Sequence, residues 1–106
     1  MLLVTSALAG PKPKPCDATA LVAAARELSA IGQPVAALAK LDEALRCQPS
    51  EATNKLAAWI ACDLAWRARH GANAEWEVKR FKRYYDKLSP ASQRSVAQCW
   101  NRCGGI

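Results

Sequence analysis

The chain has 106 residues, of which 51% are apolar but only 7% aromatic, and its formal net charge is +6. This length is typical of one small domain with a modest core. The sequence contains no run of alternating β-branched residues, which excludes a sheet protein and predicts an all-α fold of close-packed, alanine-rich helices. No stretch approaches the roughly 20 apolar residues that a transmembrane helix needs.

The N-terminus has the character of an export signal. Residues 1–9 are apolar and end in Ala7-Leu8-Ala9, a small-x-small pattern that signal peptidases accept. We interpret residues 1–9 as a signal-peptide remnant, with a disordered apolar N-terminus as the alternative. Residues 10–15 alternate proline with glycine or lysine, which favours an extended spacer. We therefore expect one folded domain, 16–106, in an exported (periplasmic or extracellular) protein, with a cytoplasmic location as the alternative.

Residues 21–50 contain two apolar stripes at helical spacing. The first stripe comprises Leu21, Ala24, Ala25, Leu28 and Ile31, and the second comprises Val35, Leu38, Leu41, Ala44 and Leu45. Gly32 can take the left-handed conformation that closes a helix, and Pro34 is tolerated in the first turn of the next one. The pattern therefore predicts an antiparallel helical hairpin, which Pro49 ends.

At this hairpin the sequence resembles a tetratricopeptide repeat. The residues that match the second half of the repeat are the turn glycine Gly32 and then Ala37, Leu41, Ala44 and Pro49. Leu21 stands where the repeat usually has an aromatic residue. A second repeat at the family period of about 34 residues is degenerate. The resemblance covers about a third of the chain and implies a helical repeat module that mediates protein–protein interaction.

Three further helices follow the hairpin. Ser50, with Glu51 in the first turn, starts a third helix that we expect to end near His70–Gly71. The fourth helix is expected over about 74–88, and Ser89-Pro90 starts a fifth over about 90–102. The predicted architecture is two stacked antiparallel hairpins, similar to tetratricopeptide repeats, and a C-terminal capping helix.

Five cysteines are numerous for so short a chain. Cys16 precedes the first helix and Cys47 ends the second, so an antiparallel hairpin brings both to the same end. Cys62 on the third helix can similarly meet Cys99 on the fifth, because alternate helices of a stacked array are neighbours, and Cys103 is then left over. These disulfides would require an oxidising compartment, in agreement with the signal-like start. Buried free thiols are the alternative.

The sequence contains no catalytic signature. His70 is the only histidine and lies beside a loop glycine, so acid–base or nucleophilic catalysis lacks partners. Cys99 and Cys103 share a helix face, but structural zinc needs a second ligand pair, and a redox Cys-x-x-Cys motif is absent. We therefore expect a non-enzymatic protein with no catalytic residue, no cofactor and no metal.

The first predicted binding surface is the concave groove that the first helix of each pair would form. It would expose tryptophan and arginine, the side chains that most often carry interface energy. The residues of this predicted partner groove are Arg26, Lys55, Trp59 and Trp66. The expected function of the groove is to bind a protein partner, and two repeats are so few that a homodimer is one arrangement to consider.

The alternative function uses the basic part of the chain. Residues 67–106 contain nine basic and three acidic side chains, whereas residues 1–66 contain six of each. A basic stripe with an aromatic residue can bind nucleic acid or an anionic membrane through phosphates. A solvated helix face is the simpler interpretation, and no nucleic-acid-binding motif accompanies the stripe. The predicted anionic-ligand face comprises Trp76, Lys79, Arg80, Arg83 and Lys87.

Overall fold

The structure, a computed structural model, describes residues 16–102 apart from the side chains of Trp100 and Arg102. This range contains five α-helices and no strand, which confirms the predicted all-α fold. The expectations for residues 1–9, for the spacer 10–15 and for Cys103 lie outside the described residues. The helices are α1 (Ala18–Ala30), α2 (Pro34–Cys47), α3 (Glu51–Arg67), α4 (Ala74–Tyr85) and α5 (Pro90–Arg102).

The first two helices are bounded by the residues that the sequence singled out. Asp17 caps α1, because its Oδ1 accepts a hydrogen bond of 3.0 Å from a backbone amide in the first turn. Gly32 has a left-handed φ of +81°, which glycine adopts without strain. The amide of Gln33 then donates to the carbonyl of Leu28 at 2.8 Å and closes the turn. Pro34 begins α2 at a position where no amide hydrogen is needed.

Serine residues cap two of the later helices. Ser50 Oγ accepts from the amide of Thr53 at 3.3 Å, and Ser89 Oγ accepts from the amide of Ser92 at 3.3 Å. Each bond satisfies one of the amides that lack a partner at a helix N-terminus. Both starts agree with the sequence prediction.

Two helices end earlier than the sequence indicates. The third was expected to reach about His70–Gly71 and the fourth about 88, but they end at Arg67 and Tyr85. After each end, backbone amides donate to carbonyl groups three residues back. Such 3₁₀-type turns continue the helical spacing for several residues, which is why the apolar pattern overstates both lengths.

The central element of the fold is α3. It packs on α4, while α1 packs on α2, and α3 also contacts α2 and α5. Small side chains allow this close approach of several helices to one helix. The buried residues of α3 lie around most of its circumference and are Thr53, Asn54, Ala57, Ala58, Ile60, Ala61, Cys62 and Ala65.

The buried face of α4 differs from the prediction, because Val78 is only half-buried and Tyr84 takes the place of Tyr85. The predicted inward residues were Val78, Phe81, Tyr85 and Leu88. Phe81 and Leu88 are buried as predicted, but the most deeply placed tyrosine is Tyr84, which is 3% exposed, and Tyr85 is half-buried. The Tyr84 hydroxyl donates a hydrogen bond of 2.6 Å to Asp42 Oδ1 and thereby links α4 to α2. This partner makes burial of the hydroxyl favourable.

Replacing Tyr84 with phenylalanine removes this link and should lower the free energy of unfolding by about 1–2 kcal/mol. Burial and then the Asp42 hydrogen bond raise the pKa of Tyr84 from 10.0 to about 12. The contribution of the hydroxyl is therefore present below pH 10 and is lost as the pH rises through 12. Urea unfolding at a series of pH values measures both effects. The control is Tyr85→Phe, and equal losses for the two variants would contradict the prediction.

A second polar link joins the starts of α3 and α5. Glu51 Oε2 accepts hydrogen bonds from the Ser89 hydroxyl and from the Ser89 amide, the latter at 3.1 Å. These bonds favour the charged carboxylate and hold the pKa of Glu51 below its ordinary value of 4.5. The same serine caps α5, so Glu51 fixes the helix that closes the fold against α3.

Protonating Glu51 should weaken this link. Because its pKa is lower in the folded protein, its contribution to stability is present above pH 4.5 and is lost as the pH falls through the folded value. The Glu51→Gln variant should therefore show a smaller loss of stability in acid than the wild type. Thermal unfolding across the acid range measures this difference. The control Glu27→Gln, which removes an exposed carboxylate elsewhere, should retain the wild-type acid dependence.

Candidate functional site

The predicted partner groove is divided between α1 and α3. Trp59 and Trp66 are two turns apart on one face of α3, and both pack partly against the core. Lys55 is half-buried one turn before Trp59, whereas Arg26 is exposed on α1. The structure thus gathers three of the four predicted residues along one helix face.

Within the chain itself, Trp66 already has a cationic partner. The Arg69 guanidinium lies 3.5 Å from the centroid of the Trp66 ring, and Arg69 Nη1 donates to the Trp66 carbonyl at 2.7 Å. A cation–π contact at an exposed site is worth about 0.5–1 kcal/mol. A partner that stacked on this face of Trp66 would have to displace Arg69, so Trp59 is the better candidate for a contact.

Trp59 lines a surface pocket of about 300 Å³ between the α1–α2 turn and α3, which we call the turn pocket. Pro34, Leu56 and Trp59 give it apolar walls. An ion pair stands at its edge, where Arg67 Nη2 lies 2.9 Å from Asp63 Oδ2 with both side chains about half exposed. The turn pocket therefore combines an apolar interior with a charged rim.

Two large apolar side chains flank the same turn and face solvent. Ile31 is 70% exposed and Val35 is 56% exposed, so these two members of the predicted apolar stripes do not pack between the helices of the hairpin. Ile31 follows the last residue of α1 and precedes the left-handed Gly32, so helical periodicity no longer sets its direction. Val35 stands in the first turn of α2, at the end of the hairpin. We call Ile31, Val35 and the turn pocket together the turn surface.

The predicted anionic-ligand face of α4 divides into separate environments. Arg80 stacks on Trp76 at 4.1 Å from the ring centroid, and its Nε lies 3.6 Å from Glu77 Oε1. The side chains of Arg80 and Glu77 are each only 12% exposed, so the charge of Arg80 is largely compensated within the chain. Lys79 lies 3.9 Å from Glu75, with both side chains largely exposed.

The two remaining residues of that face, Arg83 and Lys87, reach across to α2. They are exposed and line a pocket that also contains Asp42 and Arg46 of α2. Sequence reasoning omitted Arg46 and Asp42 because no spacing rule relates the end of α2 to α4. The one available signal was the excess of basic residues after residue 66. It indicates a positively charged region but does not indicate which side chains of α2 lie next to it.

The cysteines form the two predicted pairs. Cys16 is joined to Cys47 with the Cα atoms 5.8 Å apart, and Cys62 is joined to Cys99 with the Cα atoms 6.6 Å apart. Both separations lie in the range that a disulfide spans. Cys16 and Cys47 are exposed, whereas Cys62 and Cys99 are buried in the core. One disulfide therefore holds the open end of the first hairpin, and the other attaches α5 to α3.

The two disulfides should differ in their ease of reduction. Thiol–disulfide exchange needs access to sulfur, so a mild reductant should open Cys16–Cys47 before Cys62–Cys99. Alkylation at increasing reductant concentrations, followed by peptide mass mapping, measures the order. Simultaneous labelling of all four cysteines would contradict the predicted order.

Removing the buried pair with Cys62→Ala and Cys99→Ala should lower the free energy of unfolding by about 2–4 kcal/mol.

Neither a metal-binding cluster nor a membrane-spanning helix occurs in the described part of the chain. Among residues 16–102, no group of three or more histidine, cysteine, aspartate or glutamate side chains is placed to hold a metal ion. None of the described helices has both the length and the apolar character required to cross a membrane. His70, the only histidine of the chain, is exposed.

Comparison with known proteins adds no relative. No protein-family model, no curated protein and no solved structure matches the chain. The two surface features that bear on function are the turn surface and the basic side chains that lie between α2 and α4.

Proposed function

We propose that this chain is a helical module that binds another protein through the turn surface. The observation that carries the proposal is the exposure of Ile31 and Val35, at 70% and 56%, beside a pocket that contains Trp59. Large apolar side chains grouped at a surface commonly mark an interaction site, because a partner that covers them removes apolar area from water.

The shape of the turn surface indicates the chemistry of the partner. The apolar walls of the turn pocket suit one inserted apolar side chain, for which Trp59 is the main contact. Tryptophan is among the residues that most often dominate binding energy. The Asp63–Arg67 pair at the rim offers hydrogen-bond acceptors and donors to polar neighbours of that anchor. The expected partner is therefore a protein segment with one apolar anchor between polar residues.

The resemblance of residues 21–50 to a tetratricopeptide repeat supports the same function, because that family binds proteins. Trp59 of the predicted groove lines the turn pocket, and Lys55 lies one turn before Trp59 on α3. The proposal thus keeps the expected class of function and shifts its centre from the concave groove towards the end of the first hairpin.

We further propose that the module acts in an oxidising compartment after export. The two cysteine pairs support this location, since disulfides persist mainly in secreted and periplasmic proteins. The signal-like residues 1–9 support it independently from the sequence. Intact mass of the protein from its native host, with thiols alkylated before and after reduction, tests the location. Five free thiols would contradict it.

The interaction is tested with variants that alter the turn surface. Ile31→Asp and Val35→Asp place a charge on exposed positions, and Trp59→Ala removes the central contact. Partners captured from the native host by the wild type are identified by mass spectrometry, purified and titrated. Each variant should weaken the measured affinity at least about tenfold. The thermal midpoint should stay near the wild-type value for Ile31→Asp and Val35→Asp, whereas Trp59→Ala also removes packing against the core and should lower it.

The matched control is Trp76→Ala, which removes an exposed tryptophan from α4. It should leave the affinity unchanged. Equal binding by the wild type and the Ile31→Asp and Val35→Asp variants would exclude the turn surface. Binding that is lost with Trp76→Ala and falls steeply with added salt would instead indicate the anionic-ligand face, because salt competes with phosphate contacts.

A further inference from the structure

A second surface pocket lies between α2, α3 and α4 and shares no residue with the turn pocket. Its volume is about 310 Å³. We call it the α2–α4 pocket, and the lining residues that matter here are Asp42, Arg46, Asn54, Arg83, Tyr84 and Lys87. It is independent of the protein-binding function proposed above, since no residue of the turn surface takes part in it.

Three cationic side chains meet at the α2–α4 pocket. Arg46, Arg83 and Lys87 are all exposed, and the ion pairs found among residues 16–102 involve other basic residues. The Arg83 guanidinium lies 5.5 Å from the centroid of the Tyr84 ring, which fixes its position at the pocket wall. Asp42 is the only acidic residue among the lining residues. The pocket is therefore positively charged and suited to an oxyanion.

The same pocket also presents hydrogen-bond acceptors. Asp42 Oδ1 accepts from the Tyr84 hydroxyl at 2.6 Å, and a carboxylate has further lone pairs to offer. Asn54 is only 7% exposed, and its Nδ2 donates to the Ser50 carbonyl at 3.4 Å. Asn54 Oδ1 is buried and finds no hydrogen-bond donor in the described part of the chain. A buried acceptor without a donor is unfavourable, but this oxygen has almost no accessible surface, so Asp42 is the acceptor that a ligand in the pocket can reach.

A pocket that has both basic side chains and a carboxylate should prefer an oxyanion that carries a proton. A sulfate ion carries no proton near neutral pH and would be repelled by the Asp42 carboxylate. A phosphate group can retain a proton, since the second ionisation of a phosphate monoester occurs near about pH 6. Its charged oxygens can then face Arg46, Arg83 and Lys87, while its P–OH group donates to the free lone pairs of the Asp42 carboxylate.

We propose that the α2–α4 pocket is a binding site for a protonated phosphate group, as hydrogen phosphate or as a phosphate monoester. Phosphate and sulfate have the same shape, so discrimination between them comes from the proton and not from size. The site would take the phosphate of a small molecule or the headgroup of a lipid monoester, and the two sources share this chemistry.

The test is an NMR titration of the full chain at about pH 6, with inorganic phosphate and inorganic sulfate as separate probes at equal ionic strength. Phosphate should shift the amide signals of the α2–α4 pocket in a saturable way and bind at least about tenfold more tightly than sulfate. Equal effects of the two ions, or no saturable effect of phosphate at the pocket, would overturn the proposal.

Variants assign the effect to individual side chains. Arg83→Gln and Lys87→Gln should each weaken phosphate binding several-fold, whereas the control Arg94→Gln removes an exposed arginine from α5 and should have no effect. Asp42→Asn keeps an oxygen for the Tyr84 hydroxyl but removes the negative charge, so sulfate should bind nearly as well as phosphate. Unchanged selectivity in a folded Asp42→Asn variant would overturn the assigned role of Asp42.

The two sources of the phosphate are separated by two further probes. Glycerol 3-phosphate presents a monoester in solution, and phosphatidylcholine vesicles containing phosphatidic acid present the same group on a membrane. Saturable binding of either probe that weakens several-fold with Arg83→Gln supports the site and identifies the source. Failure of both probes, together with inorganic phosphate, would exclude it.

Discussion

The structure depends on the close approach of other helices to α3. Four of its alanines are completely buried, and a methyl group lets a neighbouring backbone come closer than a larger side chain would. One helix can therefore contact α2, α4 and α5 in a chain with few aromatic residues. The same helix contributes to the features described above. Glu51 and Asn54 in its first turn contact Ser89 and line the α2–α4 pocket, respectively, and Trp59 lines the turn pocket. The four alanines are Ala57, Ala58, Ala61 and Ala65.

Two polar links then fix the orientation of the outer helices. The Tyr84–Asp42 hydrogen bond links α4 to α2, and the Glu51–Ser89 bonds hold the start of α5 beside the start of α3. Apolar packing alone is non-directional and would tolerate sliding. The hydrogen bond from Tyr84 also has a consequence for the surface, because it brings the neighbouring basic residues Arg83 and Lys87 to the edge of α2. A stabilising contact and a candidate ligand site thus share one residue pair.

Local signals predicted the helices and their starts, while contacts between helices were harder to foresee. Caps and turns such as Gly32 depend on a few adjacent residues, which explains the correct helix starts. The cysteine pairs were predictable because the order of the helices alone indicates which helix ends meet. Ile31 was misplaced because a stripe does not reveal where the helix stops. The choice between Tyr84 and Tyr85 depended on Asp42, a residue distant in the sequence. The turn pocket and the α2–α4 pocket escaped prediction for the same reason, since each combines side chains from separate helices.

The positions of the disulfides divide the chain mechanically. One bond closes the segment from Cys16 to Cys47 and the other closes the segment from Cys62 to Cys99, so neither spans the contact between α2 and the first part of α3. When the oxidised chain is pulled from its ends, the described part can lengthen by unravelling only over residues 48–61 and beyond Cys99. Reduction would release both closed segments, and single-molecule stretching would record this as a large increase in contour length. The fold is therefore a chain of two covalently closed units with one extensible connection between them.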